Sequence, residues 1–232
     1  MTGRRLIVAL LALWVGSAGA GAFAVNPVRL SLAKGRAASA LTVQNQGGEP
    51  AVIQLEVMAW SQHEGTDLLT PTRDLIATPP IFNLAAGGSQ IVRVGLRGQA
   101  PDGRREASYR LVMKEVPAPP PPGAQGIRVA LQISLPVFIE PATAMASLRW
   151  EARFADGELR LSVFNDGNLH TQVIGLALQD GGRQPDIKPA YVLPGQRRDW
   201  RFAADAPVDG LLRLVARTDA GDVVTNVPVM AP

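Results

Sequence analysis

No cysteine occurs in the 232 residues, which excludes disulfides, thiolate metal sites and cysteine nucleophiles. Histidine is almost as scarce, with two copies in the chain. His63 precedes Glu64-Gly65, and His170 follows Asp166-Gly167-Asn168. A transition-metal site wants several His, Cys or carboxylate ligands converging, so no metal is expected and both imidazoles read as solvated loop side chains. There is no Gly-x-Ser-x-Gly elbow and no phosphate-cradling glycine loop opening a helix. No acid–base couple is legible either. The expectation is a protein that is not an enzyme and needs no cofactor. Basic stripes are missing too: the arginines are scattered and rarely interleaved with aromatics, which make up 5% of the chain. That argues against nucleic acid as a partner.

Long apolar runs are confined to the N-terminus. Arg4 and Arg5 precede Leu6 to Val15, and small residues follow from Gly16 to Ala22. A basic start, a short apolar stretch and an Ala-x-Ala exit make a secretory signal peptide over residues 1–22, cut near Gly21 or Phe23. The run is about half the roughly 20 residues a spanning helix needs, and no later segment is longer, so no membrane anchor is expected. Loss of Arg4 and Arg5 takes the formal net charge from +3 to +1.

What the chain does have is strand patterning. Ala40 to Asn45 alternates towards a Gln46-Gly47-Gly48-Glu49-Pro50 turn, and Ala51 to Trp60 alternates back, which predicts a hairpin. Gln90 to Arg97 and Ser108 to Glu115 alternate as well. After the proline-rich stretch Pro117 to Gly123, Ile127 to Phe138 forms one long alternating run. Ile127, Val129, Leu131, Ile133 and Leu135 fall on one face, because strand side chains alternate with period two. A bare edge strand with such a face is an aggregation hazard, so it is either covered or awaits a partner. Pro141 to Ala144 reads as a linker. Beyond it, Leu148 to Phe154 and Glu158 to Phe164 flank Ala155-Asp156-Gly157, a hairpin turn. Strands are also expected over 172–178, 196–202 and 211–217. Short strands punctuated by Gly, Pro and Asn indicate two all-β sandwich domains, 23–140 and 141–232.

Several blocks resemble one family. Ile76-Ala77-Thr78-Pro79-Pro80 with Leu84, Gly87 and Val92-Arg93 is similar to a block of the periplasmic pilus chaperones of the PapD-like type. Glu115-Val116-Pro117 resembles the end of their strand F, Ala130 to Pro141 their strand G, and Asn26-Pro27-Val28-Arg29 their N-terminal strand. Val192-Leu193-Pro194-Gly195 and Thr218-Asp219 fit second-domain landmarks less specifically. Divergent archaic branches, which serve spore-coat-U-like subunits, resemble this chain better than conventional fimbrial branches do.

The resemblance implies two immunoglobulin-like domains in an L-shaped arrangement. It implies a periplasmic chaperone for pilus assembly, whose partners are a pilus subunit lacking its final strand and an outer-membrane usher. The G strand lends its ladder, Ile127, Val129, Leu131 and Ile133, to complete the subunit. The subunit's terminal carboxylate is anchored on an arginine and a lysine; Arg29 matches the arginine, but Pro136 stands at the lysine position. Arg110, a charge inside an otherwise apolar strand, is either the replacement cation or a surface residue. Arg93, Glu115 and Asp219 resemble the family's interdomain salt-bridge set. Whether the free chaperone caps itself as an oligomer is left open. The competing reading is a pilin- or adhesin-like secreted β-sandwich binding module, although the mature chain enters its first strand with no free donor extension before it.

Overall fold

The computed structural model describes residues 22–33, 35–98, 103–117, 129–178, 184–203 and 210–230. Residues 1–21 of the expected signal peptide (1–22), the prolines after Pro117, and Ile127 lie outside the described residues. Every helix or strand element among them is a strand. Ten precede residue 140: β1 (Phe23–Asn26), β2 (Leu30–Leu32), β3 (Ala38–Asn45), β4 (Ala51–His63), β5 (Thr66–Pro71), β6 (Leu75–Thr78), β7 (Ile81–Leu84), β8 (Ser89–Leu96), β9 (Ala107–Val116) and β10 (Gln132–Ile139). Seven follow residue 147: β11 (Leu148–Ala155), β12 (Glu158–Asn165), β13 (Thr171–Leu178), β14 (Ala190–Val192), β15 (Arg197–Ala203), β16 (Leu211–Thr218) and β17 (Gly221–Met230).

The first set builds a sandwich. One sheet runs β1-β3-β8-β6, the other β2-β10-β9-β4-β5 with β7 beside β4. Alternation explains the core: Leu41, Val43, Val92 and Val94 face inward from the first sheet, and Ile53, Leu111 and Val137 from the second. The second set follows one path, β14-β13-β16-β17-β11-β12-β15, folded around Ala152, Leu161, Val163, Val173 and Leu214. β17 closes it by pairing antiparallel with β16 and then, at Val229 and Met230, parallel with β11. The all-β, two-sandwich class is as the alternation predicts.

The hairpin predicted for 40–60 is not one. β3 and β4 belong to opposite sheets, because each turns its apolar face to the same core from a different side. Their connection is an arch held by the buried Asn45 side chain. Its Nδ2 donates to the carbonyls of Glu49 (2.7 Å) and Leu84 (3.2 Å), and its Oδ1 accepts the Gly47 N–H at 2.9 Å. The second sandwich repeats the device between β12 and β13: Asn165 Nδ2 donates to Leu169 and Val192 carbonyls at 2.7 and 2.8 Å, and Oδ1 accepts the Gly167 N–H at 3.0 Å. The Asp156-Gly157 hairpin forms as expected. Both residues have positive φ, 53° and 75°, the conformation a tight two-residue turn requires.

Candidate functional site

β10 is paired unequally on its two sides. Against β9 it is registered along its whole length, Gln132↔Lys114 to Ile139↔Ala107. Against β2 it is registered only at Val137↔Leu30, Phe138↔Ser31 and Ile139↔Leu32. Among the described residues, the outer edge of the segment before Val137 is therefore open. Glu115 fixes where this segment starts: its N–H donates to the Leu131 carbonyl (2.9 Å) and its Oε2 accepts the Leu131 N–H (3.0 Å). The apolar ladder changes character along this edge. Leu135 is buried and Ile133 packs against the core of its own sandwich. Leu131 is half-buried, and Val129 is 62% exposed. The ladder's inner end thus belongs to this protein and its outer end faces solvent.

Two arginines flank Pro136. On the β9 side its register partner is Arg110. On the other side Arg29 stands one residue before Leu30, just as Pro136 stands one before Val137, where parallel pairing begins. The Arg110 guanidinium lies 3.7 Å from the ring centroid of Trp60 and 5.5 Å from that of Tyr191. Burial pushes the Arg110 proton affinity down, while Asp67 and Tyr191 pull it up and Arg198 opposes them. A guanidinium titrates so high that it stays charged. Arg29 Nη1 donates to Asp219 Oδ2 at 2.7 Å, with 43% of its side chain exposed. Burial pushes the Tyr191 hydroxyl up, and the positive charges of Arg29 and Arg110 partly offset this. The sequence-predicted pair, Arg29 and Arg110, is thus brought together around one tyrosine. A cavity of 790 Å³ opens beside Arg110, with Tyr191, Arg198, Trp200 and Lys188 among its walls.

This site lies at the junction of the sandwiches. Trp60 on β4 and Phe138 on β10 turn outward from the first sandwich onto Tyr191 and Leu193 of the second. Gln62 stitches the seam: Nε2 donates to Asp67 Oδ1 (2.8 Å) and the Tyr191 carbonyl (2.9 Å), and Oε1 accepts the Leu193 N–H (3.0 Å). Arg198 reaches back to Asp67 at 2.6 Å and to the Gly65 carbonyl.

Two expectations are corrected here. Arg93, Glu115 and Asp219 do not form one set. Arg93 is exposed on β8, on the outer face of the other sheet, whereas Glu115 serves Leu131 and Asp219 binds Arg29. The sandwich core separates Arg93 from Glu115. His170 is not a solvated loop residue: its side chain is 10% exposed and meets the Glu106 carboxylate at 2.7 Å. Sequence reading missed Glu106, Gln62 and Trp60 altogether. Glu106 meets His170, 64 residues away, and Gln62 meets Leu193, 131 residues away, and Trp60 meets Arg110 across strands, beyond the reach of any local pattern. His63 ends β4 with an exposed side chain, as expected.

Comparisons with known proteins agree with this architecture. The family description "Pili and flagellar-assembly chaperone, PapD N-terminal domain" matches residues 22–145. Comparison with curated protein sequences gives no match. Among solved structures, the chain is similar to one from the CsuC–CsuE chaperone–tip adhesion subunit pre-assembly complex of the archaic Csu pili of Acinetobacter baumannii. That likeness has a TM-score of 0.68 at 22% identity, covering 90% of this chain and 99% of the other. It is also similar to one from the Salmonella enterica SafA pilin–SafB chaperone complex (TM-score 0.65, 20% identity, 89% and 94% covered). The E. coli chaperone DraB gives a TM-score of 0.63 at 19% identity, covering 88% and 98%. At these identities the likeness is one of fold.

Proposed function

This chain belongs to the pili and flagellar-assembly chaperone family, and we propose from that premise that it captures pilus subunits by lending them the open edge of β10. Membership of a chaperone family sets aside the pilin or adhesin reading. The observation that carries the proposal is the one-sided pairing of β10 beside a ladder whose outer end is exposed. Added strands gain affinity from main-chain hydrogen bonds and specificity from alternate side chains entering pockets. Val129 and Leu131 are the donated residues, with Ile127 before them and Ile133 as the hinge between the borrowed ladder and the protein's own core. Arg29 and Arg110 together hold the subunit's terminal carboxylate, Arg110 standing where the resemblance leads one to expect a lysine. The chemistry is binding, with no reaction catalysed, no metal and no cofactor. The leader sends the chain to the periplasm. There the domains 23–140 and 141–232 enclose the cleft, the loaded chaperone delivers to an outer-membrane usher, and free copies cap their own ladder.

Co-expression with neighbouring gene products and pull-down from periplasmic extract tests the core of this reading. Leu131→Asp places a carboxylate in an apolar subunit pocket, which costs several kcal/mol, and at ~1.4 kcal/mol per tenfold lowers affinity by orders of magnitude. Arg29→Ala removes the anchor and also loses the subunit. Gln132→Asp, on the opposite face, keeps it. Equal capture by all three folded variants contradicts strand donation.

A further inference from the structure

His170 is wedged between the sandwiches with its ring flat against Phe138, centroids 3.7 Å apart and planes 10° from parallel. Nδ1 meets both oxygens of Glu106, at 2.8 and 2.7 Å, and the Glu106 side chain has no solvent exposure. Nε2 faces Oδ2 of Asp219 at 3.7 Å. Arg29 Nη1 holds that same oxygen at 2.7 Å. Tyr191 lies with its ring 5.6 Å away. The groups facing the imidazole are therefore Glu106 from the start of β9, Asp219 from the β16–β17 turn, Tyr191 from β14, and Arg29 through Asp219.

We propose that His170 is a positioning residue for carboxylate capture: by taking up a proton it draws Asp219 off Arg29 and frees that guanidinium for an incoming carboxylate. This rests on the reading of Arg29 as the anchor. A neutral imidazole that gives its Nδ1–H to Glu106 presents a bare lone pair at Nε2. Facing the Asp219 carboxylate, that lone pair is repelled, and Oδ2 is driven onto Arg29. Asp219 Oδ1 accepts the Gln172 N–H at 2.9 Å and its Oδ2 accepts from Arg29. An imidazolium donates from both nitrogens, so Oδ2 gains a competing partner within a small rotation of the carboxylate about its hydrogen bond to Gln172. The added proton also makes the cleft one charge more positive just where an anion arrives. Both effects have the same sign. By reciprocity, a carboxylate seated on Arg29 pushes Asp219 towards His170 and favours its protonation. Capture is therefore linked to the proton on His170, and affinity measured against pH reads that link.

The test uses the whole mature chain and a synthetic peptide of alternating valine and serine ending in a free carboxylate, beside the same peptide ending in an amide. Affinities are measured by calorimetry between about pH 5 and 8. The acid peptide is expected to bind about fivefold or more tightly at the acidic end. The amide shows no such trend, and His170→Gln flattens the acid profile. The wild-type chain supplies a second reading that survives a misfolded variant. By NMR at each pH of the series, the doubly protonated fraction of His170 rises with the acid peptide and not with the amide. A flat wild-type profile, an undiminished slope in folded His170→Gln, or a His170 ring indifferent to the acid peptide overturns the relay and leaves strand capture standing. Failure of both peptides to bind at any pH overturns strand capture itself, and the relay with it.

Discussion

Arg110 can carry its charge in an apolar strand because Trp60 offers the guanidinium a flat, electron-rich face 3.7 Å away. Such a contact is worth ~0.5–2 kcal/mol depending on how dry it is. Arg110→Ala should therefore lower stability by about that much and weaken subunit capture; Arg110→Lys should keep the charge, lose the stacking and capture at an intermediate level. Thermal melts beside pull-downs separate the two effects, and an Arg110→Ala that captures normally leaves Arg29 as the sole anchor. A second residue-scale prediction concerns Tyr109, buried on the other face of β9, whose hydroxyl donates to Asp74 at 3.0 Å. Burial first, then the bond to Asp74 and its charge, pushes this hydroxyl well above its usual value. The folded state keeps a proton that the unfolded chain releases near pH ~10. Its contribution is thus fully present below that pH and is lost as pH rises through the folded value. Tyr109→Phe should cost ~1 kcal/mol at neutral pH and make alkaline unfolding less steep, as denaturant midpoints measured on either side of pH ~10 will show. Arg110 was legible in the sequence because a charge interrupts an apolar pattern. Trp60 was not, because it reaches Arg110 only through the β4–β9 register, Met58↔Arg110.

At the scale of the strand, β10 divides into two parts that substitution should tell apart. Ile133 packs on the core and Val129 does not touch it. Ile133→Asp should destabilise the protein itself by several kcal/mol, since a carboxylate would enter a dry interior. Val129→Asp should leave the melting temperature unchanged and reduce subunit capture. If Val129→Asp captures as well as wild type, the donated segment begins further along the strand. The alternation of β10 could be read directly from its residues. Its open edge could not, because that depends on β2, three residues long and about a hundred positions earlier in the chain. The 40–60 connection misled for a related reason: alternation fixes which face is apolar, but not which sheet a strand joins. The Val43-Gln44-Asn45-Gln46-Gly47 and Val163-Phe164-Asn165-Asp166-Gly167 segments share a Val-x-Asn-x-Gly pattern, and that internal echo was the available signal for both arches.

For the molecule as a whole, the junction depends on Gln62 more than on any ion pair expected from sequence. Gln62→Leu would leave the Leu193 N–H without its acceptor, at about 1–3 kcal/mol, and would take from the Tyr191 carbonyl one of its two donors, leaving Arg198 Nε at 3.2 Å. The expected outcome is a broader small-angle scattering profile and separate melting of the two sandwiches; a single unchanged transition would show that the aromatic seam alone holds them. The two-sandwich plan was legible because short strands and turns recur throughout the chain. The junction was not, since its partners meet only after both sandwiches have folded. The open edge of β10 has one further consequence. Peptide groups are identical in every residue except proline, so an edge that binds through them recognises the rhythm and length of a cargo strand and is nearly blind to its spelling. Subunits served by this chain could therefore diverge extensively in sequence without any matching change in β10, and a proline in the strand flanking the donated one is the change they could least tolerate.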